Sequence, residues 1–120
     1  MINKKIIKAL KELNIPVLYA TRGNKTTFPL VVFNFIESPK YYGNTESKLS
    51  EYELLLNVYV YKNQVFELVK KIEDLMRINR FIQLPKIGAK FDDTLNVFNQ
   101  PLEFKILIDE EERINEKNWI

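Results

Sequence analysis

The stretch Ser50-Glu51-Tyr52-Glu53-Leu54-Leu55-Leu56-Asn57-Val58-Tyr59-Val60-Tyr61 constrains the fold more than any other part of the chain. Its even positions, Tyr52, Leu54, Leu56, Val58 and Val60, are all apolar or aromatic. Successive side chains point to opposite faces of an extended strand, so a period of two buries one face throughout. The odd positions, Glu51, Glu53, Leu55, Asn57, Tyr59 and Tyr61, are mixed and suit a face that is covered only in part. A strand of this length spans roughly 40 Å at about 3.3 Å per residue, more than a small core needs. One part is expected to serve the core and another to reach outward.

Such a strand needs a partner. Phe28-Pro29-Leu30-Val31-Val32-Phe33-Asn34-Phe35-Ile36-Glu37 is nearly apolar on both faces and reads as an interior strand pairing antiparallel with Ser50–Tyr61. One of its faces is expected under helix and the other under a second cover, for which a neighbouring subunit is a candidate. The connection from Ser38 to Leu49 reads as a long irregular loop. Pro39, Gly43 and Asn44 are turn formers there, and Tyr41 and Tyr42 are costly to leave in water. Two readings stay open: a loop that orders on contacting a partner, and a flexible hairpin connection.

Ile2, Ile6, Ile7, Leu10 and Leu13 recur at helical spacing, with Lys4, Lys5, Lys8, Lys11 and Glu12 elsewhere on the turn. This predicts an amphipathic helix ending near Asn14, because Pro16 disfavours helical geometry at Ile15. Ile15–Thr21 reads as a first strand with its proline at the start, followed by a polar turn over 22–27. Beyond Tyr61, Asn63 is the expected N-cap of a second helix whose buried stripe is Val65, Leu68, Val69, Ile72, Leu75 and Met76. Glu67–Lys71 and Glu73–Arg77 are expected ion pairs, and Asn79 an expected left-handed cap. Phe81–Phe91, broken by Pro85, reads as an irregular edge strand and Asp92-Asp93-Thr94 as a turn. A last strand is expected over Leu95–Ile108, with Leu102, Phe104, Ile106 and Ile108 on one face and Pro101 marking a bulge or an edge position.

The sum is an α+β fold: a mainly antiparallel sheet of about four to five strands packed with two helices. The element order is α-β-β-β-α-β-β, with a long projecting hairpin between the second and third strands. Residues 1–108 form the expected single domain and 109–120 an acidic C-terminal extension. The charge is uneven: Lys4, Lys5, Lys8, Lys11, Arg22 and Lys25 face Glu12 alone near the start, while Asp109, Glu110, Glu111, Glu112 and Glu116 dominate the end. Opposed ends can bring copies together head to tail, or simply solvate two chain termini.

The chain has no His and no Cys, so the usual general base, thiolate nucleophile and soft metal ligands are missing, and no disulfide can form. Asp92-Asp93 reads as turn chemistry, and Asp109–Glu112 lacks the glycine-punctuated spacing of a calcium loop. No catalytic, metal or cofactor residue is assigned, and a non-enzymatic role is expected. Nothing reads as a signal peptide or a membrane span, so synthesis in a cytoplasm is expected. Lys4, Lys8 and Lys11 along one side of the first helix, extended by Arg22 and Lys25, keep a nucleic-acid-binding or regulatory module as the alternative.

Four phrases carry a resemblance: Leu13-Asn14-Ile15-Pro16-Val17, Phe28-Pro29-Leu30-Val31-Val32-Phe33, Tyr52 through Lys62 leading into a helix, and Phe91-Asp92-Asp93 running on to Phe104. Together with the element order, they resemble the small tail-completion or tail-terminator proteins of long-tailed bacteriophages over about residues 2 to 108. The resemblance implies a structural subunit, from a phage or prophage, that sits in the virion tail and caps the tail tube as an oligomeric ring, commonly a hexamer. It implies head–tail joining, with tube protein, head connector and further copies of the chain as partners, and DNA only as cargo passing through the ring. The proline-interrupted Phe81–Lys90 segment and the acidic end depart from the family pattern. The candidate interface residues are Tyr41, Tyr42, Asn44, Glu46 and Lys48 on the loop, and Trp119 near the chain end as an aromatic anchor.

Overall fold

A computed structural model describes residues 2–25, 27–41 and 48–109. The helices are α1 (Ile2–Ala9) and α2 (Val65–Ile78). The strands are β1 (Val17–Tyr19), β2 (Leu30–Tyr41), β3 (Lys48–Val60), β4 (Ile82–Gln83), β5 (Lys90–Asp92) and β6 (Val97–Asp109). The six strands form one sheet in the order β1-β2-β3-β6-β4, with β5 also pairing on β6. Among the described strand pairs only β1–β2 is parallel. The fold is α+β, as expected, with one strand more because Phe81–Phe91 splits in two around Pro85.

The period of two in β3 decides which layer sits where. Tyr52, Leu54, Leu56, Val58 and Val60 are all buried, on the face that carries both helices. Val31 and Phe33 of β2 and Leu102, Phe104 and Ile106 of β6 complete that face in register. From α1 come Ile2, Ile6 and Ala9; from α2 come Val69, Ile72, Leu75 and Met76. Val65 and Leu68 are only partly buried at the margin of this core. Each fully buried Leu, Phe or Val contributes on the order of 1.5–3 kcal/mol by leaving water.

Among the described residues the opposite face carries no helix. At its lower end the same chain closes a second, smaller core of Phe28, Leu30, Val32 and Val97, with Tyr59 and Leu95 packed against it. The buried second face of Phe28–Phe33 is therefore covered from within the chain rather than by a neighbour.

The ends of the elements follow local chemistry. After α1 a single 3-10 turn, Lys11–Leu13, leads to Asn14 at φ 55, a left-handed residue that ends the helix where expected. The N-terminus of α2 differs from expectation: Asn63 lies inside a 3-10 turn (Lys62–Gln64), and no side chain caps the helix. The turn closes instead through the Gln64 amide donating to the Tyr61 carbonyl at 2.9 Å. At the other end Asn79 is not the left-handed residue; Arg80 is, at φ 72. Asn79 caps with its side chain, its Nδ2 donating to the Leu75 carbonyl at 2.7 Å.

The ion pairs also rearrange. Asp74 takes both Lys70, at 3.6 Å, and Arg77, while Glu73 reaches off the helix to Lys86 at 3.2 Å and accepts from Gln83 Nε2. The expected Glu73–Arg77 pair gives way because the irregular segment after β4 offers Glu73 a partner in a more enclosed place.

Prolines sit inside two long strands without a bulge. The β3–β6 register runs unbroken from Leu49↔Asp109 to Val60↔Phe98, so Pro101 pairs opposite Asn57. The Glu103 carbonyl accepts from Leu84 at 2.9 Å, on the β4 side. Backbone groups alternate along a strand, so Pro101 also faces away from β3, into the gap between β4 and β5. The edge-like position expected for it exists locally inside a paired strand. Pro39 repeats the device. Odd residues of β2 face β1, as the Val31 amide donating to the Pro16 carbonyl at 2.9 Å shows, and β1 pairs only as far as Phe33. Pro39 therefore turns its missing donor to a side where no described strand pairs.

Candidate interaction surface

The connection expected to be irregular from Ser38 to Leu49 is largely strand. β2 and β3 stay in register through Pro39↔Ser50, Lys40↔Leu49 and Tyr41↔Lys48, leaving only 42–47 between them. Turn formers in the sequence hid this, because Pro39 is compatible with a ladder whose outer side is open. Strands of 12 and 13 residues reach roughly 40 Å. The molecule is 52 Å along its longest axis and has a radius of gyration of 15.8 Å. A compact chain of 120 residues would give roughly 13–14 Å. The excess is consistent with an arm, formed by the upper parts of β2, β3 and β6.

On the arm's bare face the register sets out cross-strand rows: Asn34–Leu55–Glu103, then Ile36–Glu53–Lys105, then Ser38–Glu51–Leu107. Ile36 is 69% exposed and Leu107 48% exposed, while Glu53 and Glu103 are exposed and Leu55 and Lys105 half-buried. The result is a strip of apolar side chains bordered by carboxylates. Ile36 and Leu107 were legible as strand residues, but their exposure depends on register and on the helices packing only on the other face.

Of the candidate interface residues, Tyr41 and Lys48 are brought opposite each other at the end of the β2–β3 ladder. Tyr42, Asn44, Glu46 and Trp119 lie outside the described residues, as does the extension beyond Asp109. Asp109 itself belongs to β6, opposite Leu49.

A second surface lies on the helix layer. Lys4, Ile7 and Lys8 of α1 and Lys11 of the following turn are exposed on the side away from Ile2, Ile6 and Ala9, with Ile7 at 47%. Arg22 is engaged locally, its Nη1 donating to the Lys25 carbonyl at 2.8 Å.

The remaining polar clusters have structural tasks. Asp92 Oδ1 accepts from the amides of Thr94 and Leu95, each at 3.0 Å, which folds the turn before β6. Among the described residues no group of three His, Cys, Asp or Glu side chains is placed to hold a metal ion. One concavity of about 600 Å³ runs along Phe81–Lys86 beside Arg77, and another of about 820 Å³ lies between Tyr61, Phe91 and Phe98. Neither lining includes a carboxylate. No described helix is long and apolar enough to cross a membrane.

No family model matches the chain, and no curated protein matches it.

Proposed function

We propose that the chain is a non-enzymatic structural subunit of a phage or prophage tail. In this reading it caps the tail tube as an oligomeric ring and joins it to the head connector. The observation that carries the reading is the arm: β2 and β3 continue as a paired ladder to Tyr41↔Lys48, far beyond what the helix-side core requires. A ring subunit has to touch a neighbour, a tube and a connector at once, and an arm with one bare face supplies surface for such contacts. Three of the four phrases that resemble tail-terminator proteins fall on the start of β2, on β3 and on β5–β6, and the fourth, Leu13–Val17, leads into β1.

The test is reconstitution. Purified protein is added to isolated tail tubes and imaged by electron microscopy. Rings of about six copies at one tube end are expected, closed by cyclic symmetry. A protein that stays monomeric both alone and with tubes would sink the reading. The nucleic-acid alternative is favoured by one observation, the exposed Lys4, Lys8 and Lys11 on a single side. It requires salt-sensitive binding to duplex DNA that is lost when these lysines become Glu.

A further inference from the structure

The two described helices both pack on one sheet face, and the exposed side chains of the other face are complementary to the chain's own helix layer. The bare face of the arm presents Ile36, Leu55 and Leu107 among Glu51, Glu53 and Glu103, with Lys105 beside Glu53. On the outer side of α1, three lysines, Lys4, Lys8 and Lys11, surround the exposed Ile7. The two surfaces look in opposite directions, because α1 packs on the far side of the same sheet.

We propose that α1 of one copy docks on the bare arm face of the next, with Ile7 set against Ile36 and the lysines against Glu53 and Glu103. This deepens the ring reading above and rests on it. The docked helix covers apolar side chains that the antiparallel sheet leaves in water on this face. The opposite charges favour this orientation and penalise helix-to-helix or face-to-face pairing of copies. Surfaces on opposite sides of a subunit cannot meet each other across a two-fold axis. They give a head-to-tail contact, which closes into a ring if the rotation permits and otherwise runs on as a filament.

The cysteine-free chain makes the contact directly testable. Ile7→Cys protein is mixed with Ile36→Cys protein under mild oxidation. A disulfide between the two variants is expected, well above that from Ile7→Cys mixed with Phe66→Cys, whose cysteines both lie on the helix layer. Charge reversal supplies the second arm. Lys4→Glu with Lys8→Glu in one chain, and Glu53→Lys with Glu103→Lys in another, should each weaken self-association on the order of a hundredfold. Mixing the two reversed chains should restore it, since every junction then pairs opposite charges. All substituted positions are exposed, and circular dichroism checks that each variant folds.

Cross-linking no better than the control, or reversed chains that associate like the parent, overturns the proposal. So does a Lys4/Lys8 reversal that abolishes DNA binding and leaves the cross-link intact, since the basic side then serves nucleic acid. Rings on tail tubes without the cross-link would remove this interface and leave the ring reading standing. The cross-link without rings on tubes would do the reverse.

Discussion

Gln100 offers the sharpest test of how this sheet is held together. It is 5% exposed, and its Nε2 donates to the Ile87 carbonyl at 2.6 Å and to the Pro101 carbonyl at 2.9 Å. It thereby ties the irregular stretch between β4 and β5 to the strand that both of them flank. Gln100→Leu keeps approximate volume and removes both donations. Each neutral hydrogen bond contributes about 1 kcal/mol net, and a carbonyl left without a partner costs up to about 3 kcal/mol when water cannot reach it. Ile87 is an exposed residue, so water recovers part of its loss. A destabilisation of about 1–2 kcal/mol follows. With an unfolding entropy of about 2.1 cal/mol/K per residue, a chain of this length loses roughly 4–8 °C in Tm. Gln100→Glu should be worse, because it sets a buried carboxylate against two carbonyl oxygens that can only accept. Urea and thermal unfolding give the stability, and hydrogen exchange of the β5 amides reports the local release of the stretch. A Gln100→Leu protein within about 0.5 kcal/mol of the parent, with unchanged β5 exchange, would refute the clamp.

Other consequences are equally direct. Replacing 41–48 with Asn-Gly closes the arm by a two-residue turn at the hydrogen-bonded Lys40↔Leu49 pair. This removes Tyr41, Tyr42, Asn44, Glu46 and Lys48 together; folding should survive and ring formation on tubes should fail, whereas an unfolded product would make the hairpin mere scaffold. Leu56→Ala, at a fully buried central position, should cost about 2–5 kcal/mol in urea denaturation. Asn79→Ala removes the side-chain cap on the Leu75 carbonyl and should cost about 1 kcal/mol by the same assay. Asp74 is held below the usual carboxylate range, first by its hydrogen bond from Arg77 and then by the neighbouring charges of Lys70 and Arg77. Its folded pKa lies under its unfolded one, so its contribution is present above about pH 4 and is lost as pH falls through the folded pKa. Asp74→Asn should therefore narrow its gap from the parent as pH drops from about 6 to about 2, a difference urea titrations at the two pH values can read.

Much of the fold is legible in the sequence because its strongest signals are periodic. The even positions of β3, the spacing of Ile2, Ile6 and Leu10, and the stripe Val69, Ile72, Leu75 and Met76 each define a buried face with no knowledge of neighbours. What was hidden depends on those neighbours. Pro39 reads as a loop breaker until β1 is seen to stop at the pair with Phe33, leaving its nitrogen facing no strand. Pro101 reads as a bulge until β4 and β5 are seen to leave a gap beside it. Glu73 pairs with Lys86 rather than along its helix because the chain after β4 folds back onto α2. The arm was visible as excess strand length, but the bare face with Ile36 beside Glu53 exists only once the register is known. Gln100 had no local signal at all: a glutamine in a strand carries no sign that a carbonyl thirteen residues earlier will need it.

The proline in β2 also governs how the arm meets other chains. An open sheet edge is a template on which another strand can add, and a long arm with a bare edge invites copies to zip together without limit. Along the outer edge of β2 beyond β1, the outward-facing positions are Phe35, Glu37, Pro39 and Tyr41. A guest strand that reached Pro39 would meet a residue with nothing to donate, which works against addition along this edge. What the arm keeps available is its flat face, a surface that recognises by side chains and can therefore choose its partner.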